Sequence, residues 1–538
     1  MTTIARAVAR CALLTAAVLC SSMPARAQAD AVTPAMIEKA ARANFAEFFE
    51  MLALPNDAIK PEDIRKNADW LEAAFRKRGF STRQLPNDGK PLVYAEYDRK
   101  VAGAKTILFY MHFDGQPVRP EQWAQKSPWT AVLKQRTARG GAAPLATMTP
   151  SRTPSQAQWE EIDAARLQAD KIDPEWRIFA RSASDDKGPI MMFLSAFDVL
   201  KAAGQEPAFN VKVLLDGEEE KGSPTIGEVA KAHRELLRAD AILIHDGPMH
   251  ASNQPTIIFG NRGNTVVQLT VHGPKSNLHS GHYGNYVPNP AQRLAALLAS
   301  MKDDEGRVTI PGYYDSVKLT DAERKIMAEV PDDEAELRRR LGIARPEAVG
   351  RNLQEALQYP SLNIRGMESA AVGEKGANIL PSKAVAELDL RTTPGASPAQ
   401  LFGLIEAHVR ARGYHLVADE PTDEERARHD KIASLKVARG SSAAFTPLDS
   451  PVGVWAQAAL AKTFAGGGEP PVPMVRIRMM GGSVPTDKLV EALDRQFIIV
   501  PLVNPDNNQH SFDENLRIGH YLDGIRAFTG LLRSPFPG

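Results

Sequence analysis

The tightest constraint on how this chain can fold comes from three short apolar runs, Thr106-Ile-Leu-Phe-Tyr-Met111, Val211-Lys-Val-Leu-Leu215 and Ala241-Ile-Leu-Ile244. Runs this short, bounded by polar residues, read as strands rather than helices. Two of them lie beside helical stretches, Pro189 to Ala203 and Thr225 to Arg238. Upstream, Thr33-Pro34 reads as an N-cap with proline at the first helical position, ahead of a helix from Met36 to Leu54. Pro61 to Lys77 carries Ile64, Ala68, Leu71 and Phe75 along one face. Strands alternating with helices predict an α/β fold with a mostly parallel sheet covered by helices.

From about Gly263 the texture changes to alternating strands, Thr265 to Val271 and Ala384 to Arg391, with helices near Asn289 to Met301 and Ser397 to Arg412. This predicts an α+β sandwich inserted into the first domain, which resumes with a helix at Pro451 to Phe464 and a strand at Gln496 to Pro501. The resulting division is 28–262 and 444–538 for the two parts of the first domain and 263–443 for the insert. The stretch Lys134 to Ala169 is rich in breakers and reads as a surface insertion.

At 538 residues the chain has room for two to four domains. Its 65 basic and 65 acidic residues balance, so it carries no broad electrostatic footprint for nucleic acid or an anionic membrane. At the amino terminus, Arg6 and Arg10 precede the apolar run Cys11 to Cys20, followed by Ala25-Arg26-Ala27. That pattern predicts a secretory signal at 1–27, cut after Ala27, and an exported protein, secreted or periplasmic, with no membrane span. Cys20 also permits a lipoprotein reading, against which Leu19 is bulky. The chain's 2 cysteines both fall inside this segment, so disulfides, thiolate ligands and a cysteine nucleophile are excluded from the mature chain.

Each apolar strand ends in ionisable residues: His112-Phe-Asp114, Asp216-Gly-Glu-Glu-Glu220 and His245-Asp246. In open parallel sheets, sites are built at the carboxyl ends of strands. The period of two puts His112 and Asp114 on one side, as suits an imidazole steered by a carboxylate. Between them in sequence come Asp185-Asp186, just before a helix, and far downstream His510 sits in a polar loop. Singly these have plain readings: a helix cap, a solvated acidic turn, a structural histidine. Their coincidence at successive strand ends favours chemistry, because buried carboxylates are costly unless paired or metal-bound. No Gly-x-Ser-x-Gly elbow, His-Glu-x-x-His helix, Walker loop or Gly-x-Gly-x-x-Gly is present.

The motifs Met111-His-Phe-Asp-Gly-Gln-Pro117, Ser184-Asp-Asp-Lys-Gly-Pro189, Glu218-Glu-Glu-Lys-Gly-Ser223, His245-Asp246 and His510-Ser511 resemble the co-catalytic metallopeptidases that include carnosinase, glutamate carboxypeptidase and succinyl-diaminopimelate desuccinylase. Gly260-Asn-Arg-Gly-Asn264, His279-Ser-Gly281, Pro311 to Asp315, Tyr359 to Leu362 and Gly481 to Pro485 are most similar to the carnosinase-like dipeptidase branch.

The resemblance implies two divalent metal ions per subunit, bridged by Asp185, with His112 and Asp246 on one ion and Glu220 and His510 on the other. It implies Glu219 as general base, Asp114 orienting His112, and a cis peptide bond between Asp185 and Asp186. Oxygen and imidazole ligands suit zinc, manganese or cobalt, and zinc is the expectation. The insert would be a lid and homodimerisation domain whose His279 reaches the partner's site as an oxyanion donor, while Asn378, Arg391 and Ser483 hold the substrate. His282 is read as structural.

There are departures: Ala180-Arg-Ser182 stands where the family has Gly-Arg-Gly, and Asn378 where the branch has threonine. Asp246 in place of glutamate points to dipeptide substrates rather than acylated ones. The expected activity is therefore hydrolysis of dipeptides or small peptides. The alternatives are an amidase or deacylase acting on N-acyl amino acids, and a non-catalytic periplasmic peptide-binding protein.

Overall fold

The computed structural model describes residues 32–137, 158–169, 171–465, 473–484 and 486–537. The expected signal at 1–27 and the middle of the breaker-rich insertion lie outside the described residues.

The larger sheet has eight strands in the order Ser81–Leu85, Leu92–Tyr97, Asn210–Asp216, Thr106–His112, Ala241–Ile244, Phe497–Ile499, Thr256–Ile258 and Val475–Ile477. Its centre is parallel: Thr106–His112 runs alongside both Asn210–Asp216 and Ala241–Ile244. The antiparallel pair at one edge, Ser81–Leu85 with Leu92–Tyr97, escaped the sequence reading because Ser-Thr-Arg-Gln-Leu carries a single buried apolar residue.

One face of the sheet is covered by the helices Pro34–Leu52, Lys187–Ala202 and Ile518–Arg533. Phe109 from the central strand packs against Phe193 and Phe528 from two of these helices, at centroid separations of 5.1 and 6.2 Å. All three rings are fully buried, and each contributes roughly 1.5–3 kcal/mol of transfer free energy. Lys187 is also fully buried, and its ammonium donates to the carbonyl oxygens of Met51 and Leu54 at 2.8 and 2.7 Å, pinning the end of the first helix to the start of the helix Lys187–Ala202. The other face carries Ile226–Ala232, Arg234–Leu237 and Thr486–Leu493. The stretch expected as one helix from Thr225 to Arg238 is thus broken at His233.

The second sheet, five strands in the order Ser361–Glu368, Lys383–Thr392, Gly263–His272, Ile432–Gly440 and His415–Val417, forms a separate domain. Lys383–Thr392 alternates between buried and partly exposed positions, so one face meets Pro290–Ala299 and Pro398–Ala411. A capping box, Ser397 with Gln400, starts the latter helix. This domain is more helical than its sequence suggested, with Asp321–Ala328 and Glu334–Leu341 added between strands.

The breaker-rich insertion is shorter than its composition implied. Its ends, Val132–Arg136 and Trp159–Ile162, pair with each other, and Val132–Arg136 also pairs with Arg177–Phe179 in a four-stranded sheet completed by Asn515–Arg517. No helix among the described residues is long and apolar enough to cross a membrane.

Candidate metal centre

Register explains why remote residues meet. The three central parallel strands finish level with one another, His112 opposite Asp216 and Tyr110 opposite Ile244, so the residues that follow them emerge at one edge. The loop before Lys187–Ala202 delivers Asp185 to the same edge, and a loop ahead of the last strand delivers His510.

Asp185 lies at the middle. Its Oδ1 is 2.9 Å from His112 Nε2 and its Oδ2 is 3.1 Å from His510 Nε2, which is also 3.2 Å from Glu220 Oε2. The potential ligand atoms fall into two groups, His112 with Glu219 and Asp246, and Asp185 with Glu220 and His510, each mutually within 4.8 Å. His112 Nδ1 is 3.3 Å from Asp114 Oδ1. Asp114 also accepts from the backbone N–H of Glu219 at 2.9 Å and of Glu220 at 3.1 Å, so one buried carboxylate sets both the imidazole and the acidic turn. The Asp185–Asp186 peptide bond is cis. Asp186 Oδ2 accepts from the backbone N–H of His112 at 3.2 Å.

The electrostatics test whether these residues suit cations. Burial would push Asp185 up, but the imidazoles of His112 and His510 bonded to it hold it well below the usual carboxylate range. Burial drives Glu219 well above that range despite His112, with Asp246 and Glu220 adding repulsion. Burial pushes Asp246 up to about 7, and the neighbouring Asp185 and Glu220 charges add to the rise. His510 is held up to about 11, the pull of Asp185 and Glu220 outweighing burial. Carboxylates crowded at low dielectric, some forced up and one held down by imidazoles, are stabilised by positive charge placed among them. A donor set of oxygens and imidazoles in two groups, adjoining where Asp185 Oδ1 lies 2.9 Å from His112 Nε2, fits two divalent ions.

The remaining expected residues divide. Arg391 reaches the cavity edge, where its Nη1 donates to Ser483 Oγ at 3.3 Å. Ser483 lines a cavity of about 640 Å³ together with Asp185, Glu219, Glu220, Asp246 and His510. His279 and Asn378 are exposed and do not line it. His279 pairs with Ile379 in a short antiparallel ladder, and Asn378 precedes that strand, its carbonyl accepting from Ser280 N–H at 2.9 Å. The His282 ring stands 4.6 Å from that of His279.

Several contributors escaped the sequence reading. Gln116 Nε2 donates to Glu220 Oε2 at 2.6 Å. Ser182, the residue replacing a family glycine, takes φ +61°, and its hydroxyl accepts from Asn56 at 3.0 Å. Gly115 gives it room: a Cβ there would come within 2.4 Å of Ser182 Oγ. The only advance signal was that Gly115 falls inside a motif whose other members carry chemistry.

Residues 154–534 match the model of Peptidase family M20/M25/M40. The Cys-Gly metallodipeptidase dug1 of Schizosaccharomyces pombe is 26% identical over 467 residues, covering 85% of this chain and 86% of its own. The human Beta-Ala-His dipeptidase is 25% identical over 495 residues, covering 90% and 84%. Among solved structures, the M20 family metallo-carboxypeptidase Sso-CP2 from Sulfolobus solfataricus superposes with a TM-score of 0.69 at 26% identity, covering 91% of this chain and 98% of that one. Human carnosine dipeptidase 1 shares the fold at a TM-score of 0.63 and 20% identity, covering 93% and 99%.

Proposed function

We propose, given that the chain belongs to peptidase family M20/M25/M40, that it hydrolyses dipeptides or small peptides at a centre of two divalent metal ions, zinc by default. The observation that carries this reading is the reach of Asp185, one oxygen toward His112 and the other toward His510, with Glu219 alongside. His112 and Asp246 would hold one ion and Glu220 and His510 the other, with Asp185 shared. When bound, such ions polarise a carbonyl and make water acidic enough to attack at neutral pH.

The chain's own groups supply the rest. Glu219, beside His112 and Asp246, takes the proton of the attacking water as its carboxylate and returns it to the leaving amine as the carboxylic acid. Arg391, with a planar fork suited to a carboxylate, and Ser483 beside it hold the substrate's carboxyl end. A cavity of about 640 Å³ suits a dipeptide or short peptide. The dipeptidase names of two relatives that match most of this chain support the same substrate class.

The outward placement of His279 and Asn378 supports a homodimer in which each lid completes its partner's site, with His279 donating to the oxyanion. Exposed Met367 and Val372 on the same domain add apolar surface for that contact. Export rests on the run Cys11 to Cys20 and the Ala25-Arg-Ala27 site, and N-terminal sequencing of the secreted protein tests it.

The deciding experiment is hydrolysis of a dipeptide panel, free and N-acylated, by zinc-loaded protein. Turnover of free dipeptides is expected; turnover confined to acylated ones would make the enzyme an amidase, and none at all would leave a binding protein.

A further inference from the structure

Glu514 is fully buried and lines no part of the catalytic cavity, yet its carboxylate takes up the donors of the loop that carries Asp185. Its Oε1 accepts from the backbone N–H of Ser184 and of Asp185, both at 3.0 Å. Its Oε2 accepts from the backbone N–H of Ser182 at 2.8 Å and from Arg181 Nη1 at 2.8 Å. Arg181 turns its other nitrogen, Nη2, to the carbonyl of Ser511 at 2.9 Å, beside His510. The backbone around Glu514 closes the same circle, since its carbonyl accepts from Ala180 N–H at 3.1 Å and the Asn515 carbonyl from Ser184 Oγ at 2.7 Å.

Two loops that approach from distant parts of the chain, each bearing an imidazole or carboxylate of the metal centre, are therefore joined through one carboxylate. Such a group needs both oxygens ionised or acting as acceptors, because every neighbour facing it is a donor. An amide of the same shape would turn an NH2 toward a backbone N–H or a guanidinium and open one side of the loop.

We infer that Glu514 is a positioning residue that locks the Asp185 loop to the His510 loop and thereby sets the affinity of the centre for divalent cations; this rests on the dinuclear reading above. Groups that orient metal ligands without touching the metal change affinity by about 10- to 100-fold when removed.

The test is zinc titration by calorimetry of the full chain, stripped with chelator, for wild type, Glu514→Gln and Glu514→Asp. Asp198→Asn serves as a control, since Asp198 is a partly buried carboxylate bonded to an arginine, Arg78 at 2.8 Å, and belongs to neither loop of the centre. Glu514→Gln is expected to bind zinc about 10- to 100-fold more weakly. Glu514→Asp should recover part of the loss, and Asp198→Asn should bind as wild type even where its thermal midpoint falls equally. Wild-type zinc affinity in Glu514→Gln, or equal weakening in Asp198→Asn, overturns the positioning role alone. A wild-type chain that binds fewer than two zinc ions overturns the dinuclear reading, and this inference with it.

Discussion

The two halves of the proposed substrate path are built in opposite ways. Around Asp185 the side chains are buried and held from several sides: His112 and Asp114 are wholly buried, and Asp186, Glu514 and the backbone of Glu219 and Glu220 are locked by hydrogen bonds. Around His279 and Asn378 both side chains are exposed, and the backbone there is held by a two-residue ladder, His279 opposite Ile379, and one bond from Ser280 N–H to the Asn378 carbonyl. A centre that must hold charge at fixed spacing needs the first construction. A group that completes a site elsewhere needs the second, since it must stay accessible until its partner arrives.

The sharpest way to break this comparison is to remove the shared carboxylate. Asp185→Ala should lose both metal ions and all measurable dipeptidase activity, read by metal analysis and turnover on the same preparation; retention of two ions would mean that Asp185 bridges nothing. Next in size, Glu219→Gln should keep both ions but lose about 10²- to 10⁴-fold in kcat, the usual share of a general base. Normal turnover by that variant would reassign the base.

On the exposed half, His279→Ala should lose about 10²- to 10³-fold in kcat, as expected for an oxyanion donor. If the histidine serves the partner subunit, mixing His279→Ala with Glu219→Gln chains restores part of the activity, because in the mixed dimer one site receives both a working base and a working donor. Activity that stays at the level of the separate variants would place His279 in its own subunit's site, or in none.

How much of this was legible beforehand follows the same division. The strand ends were readable because apolar runs stop abruptly at His112, Asp216 and Ile244, and parallel pairing in register makes sequence endings into a spatial edge. Asp185, Glu220, Asp246 and His510 could be gathered because their motifs are local and carry unusual charge. Glu514 and Asn56 could not, since they act on backbone N–H groups and on a serine hydroxyl that any sequence offers at hundreds of positions. Ser182 was visible only as a departure, and its φ of +61° shows that the backbone keeps the conformation a glycine would favour. The helix break at His233 likewise has no Gly or Pro to announce it.

The smallest effect tests whether the locked half owes its stability to buried charge. Asp506, beside the His510 loop, is drawn down to about 2 from 3.8: burial would raise it, but Arg177, bonded to it at 2.5 Å, together with Asn504 and Arg517 prevails. A folded-state value below the unfolded one means that the carboxylate stabilises the native state above pH ~3.8 and that this contribution fades as pH falls toward 2. Nearly two units correspond to about 2 kcal/mol at neutral pH. Urea unfolding of wild type and Asp506→Asn should therefore differ by roughly that amount at pH 7, and the gap should narrow steadily on going from pH 5 to pH 3. Asp419, exposed on the inserted domain and paired with Lys436, should give no measurable gap at either end when changed to asparagine. A gap for Asp506 that stays constant with pH would assign its role to shape rather than charge, and would remove electrostatics from what distinguishes the two halves.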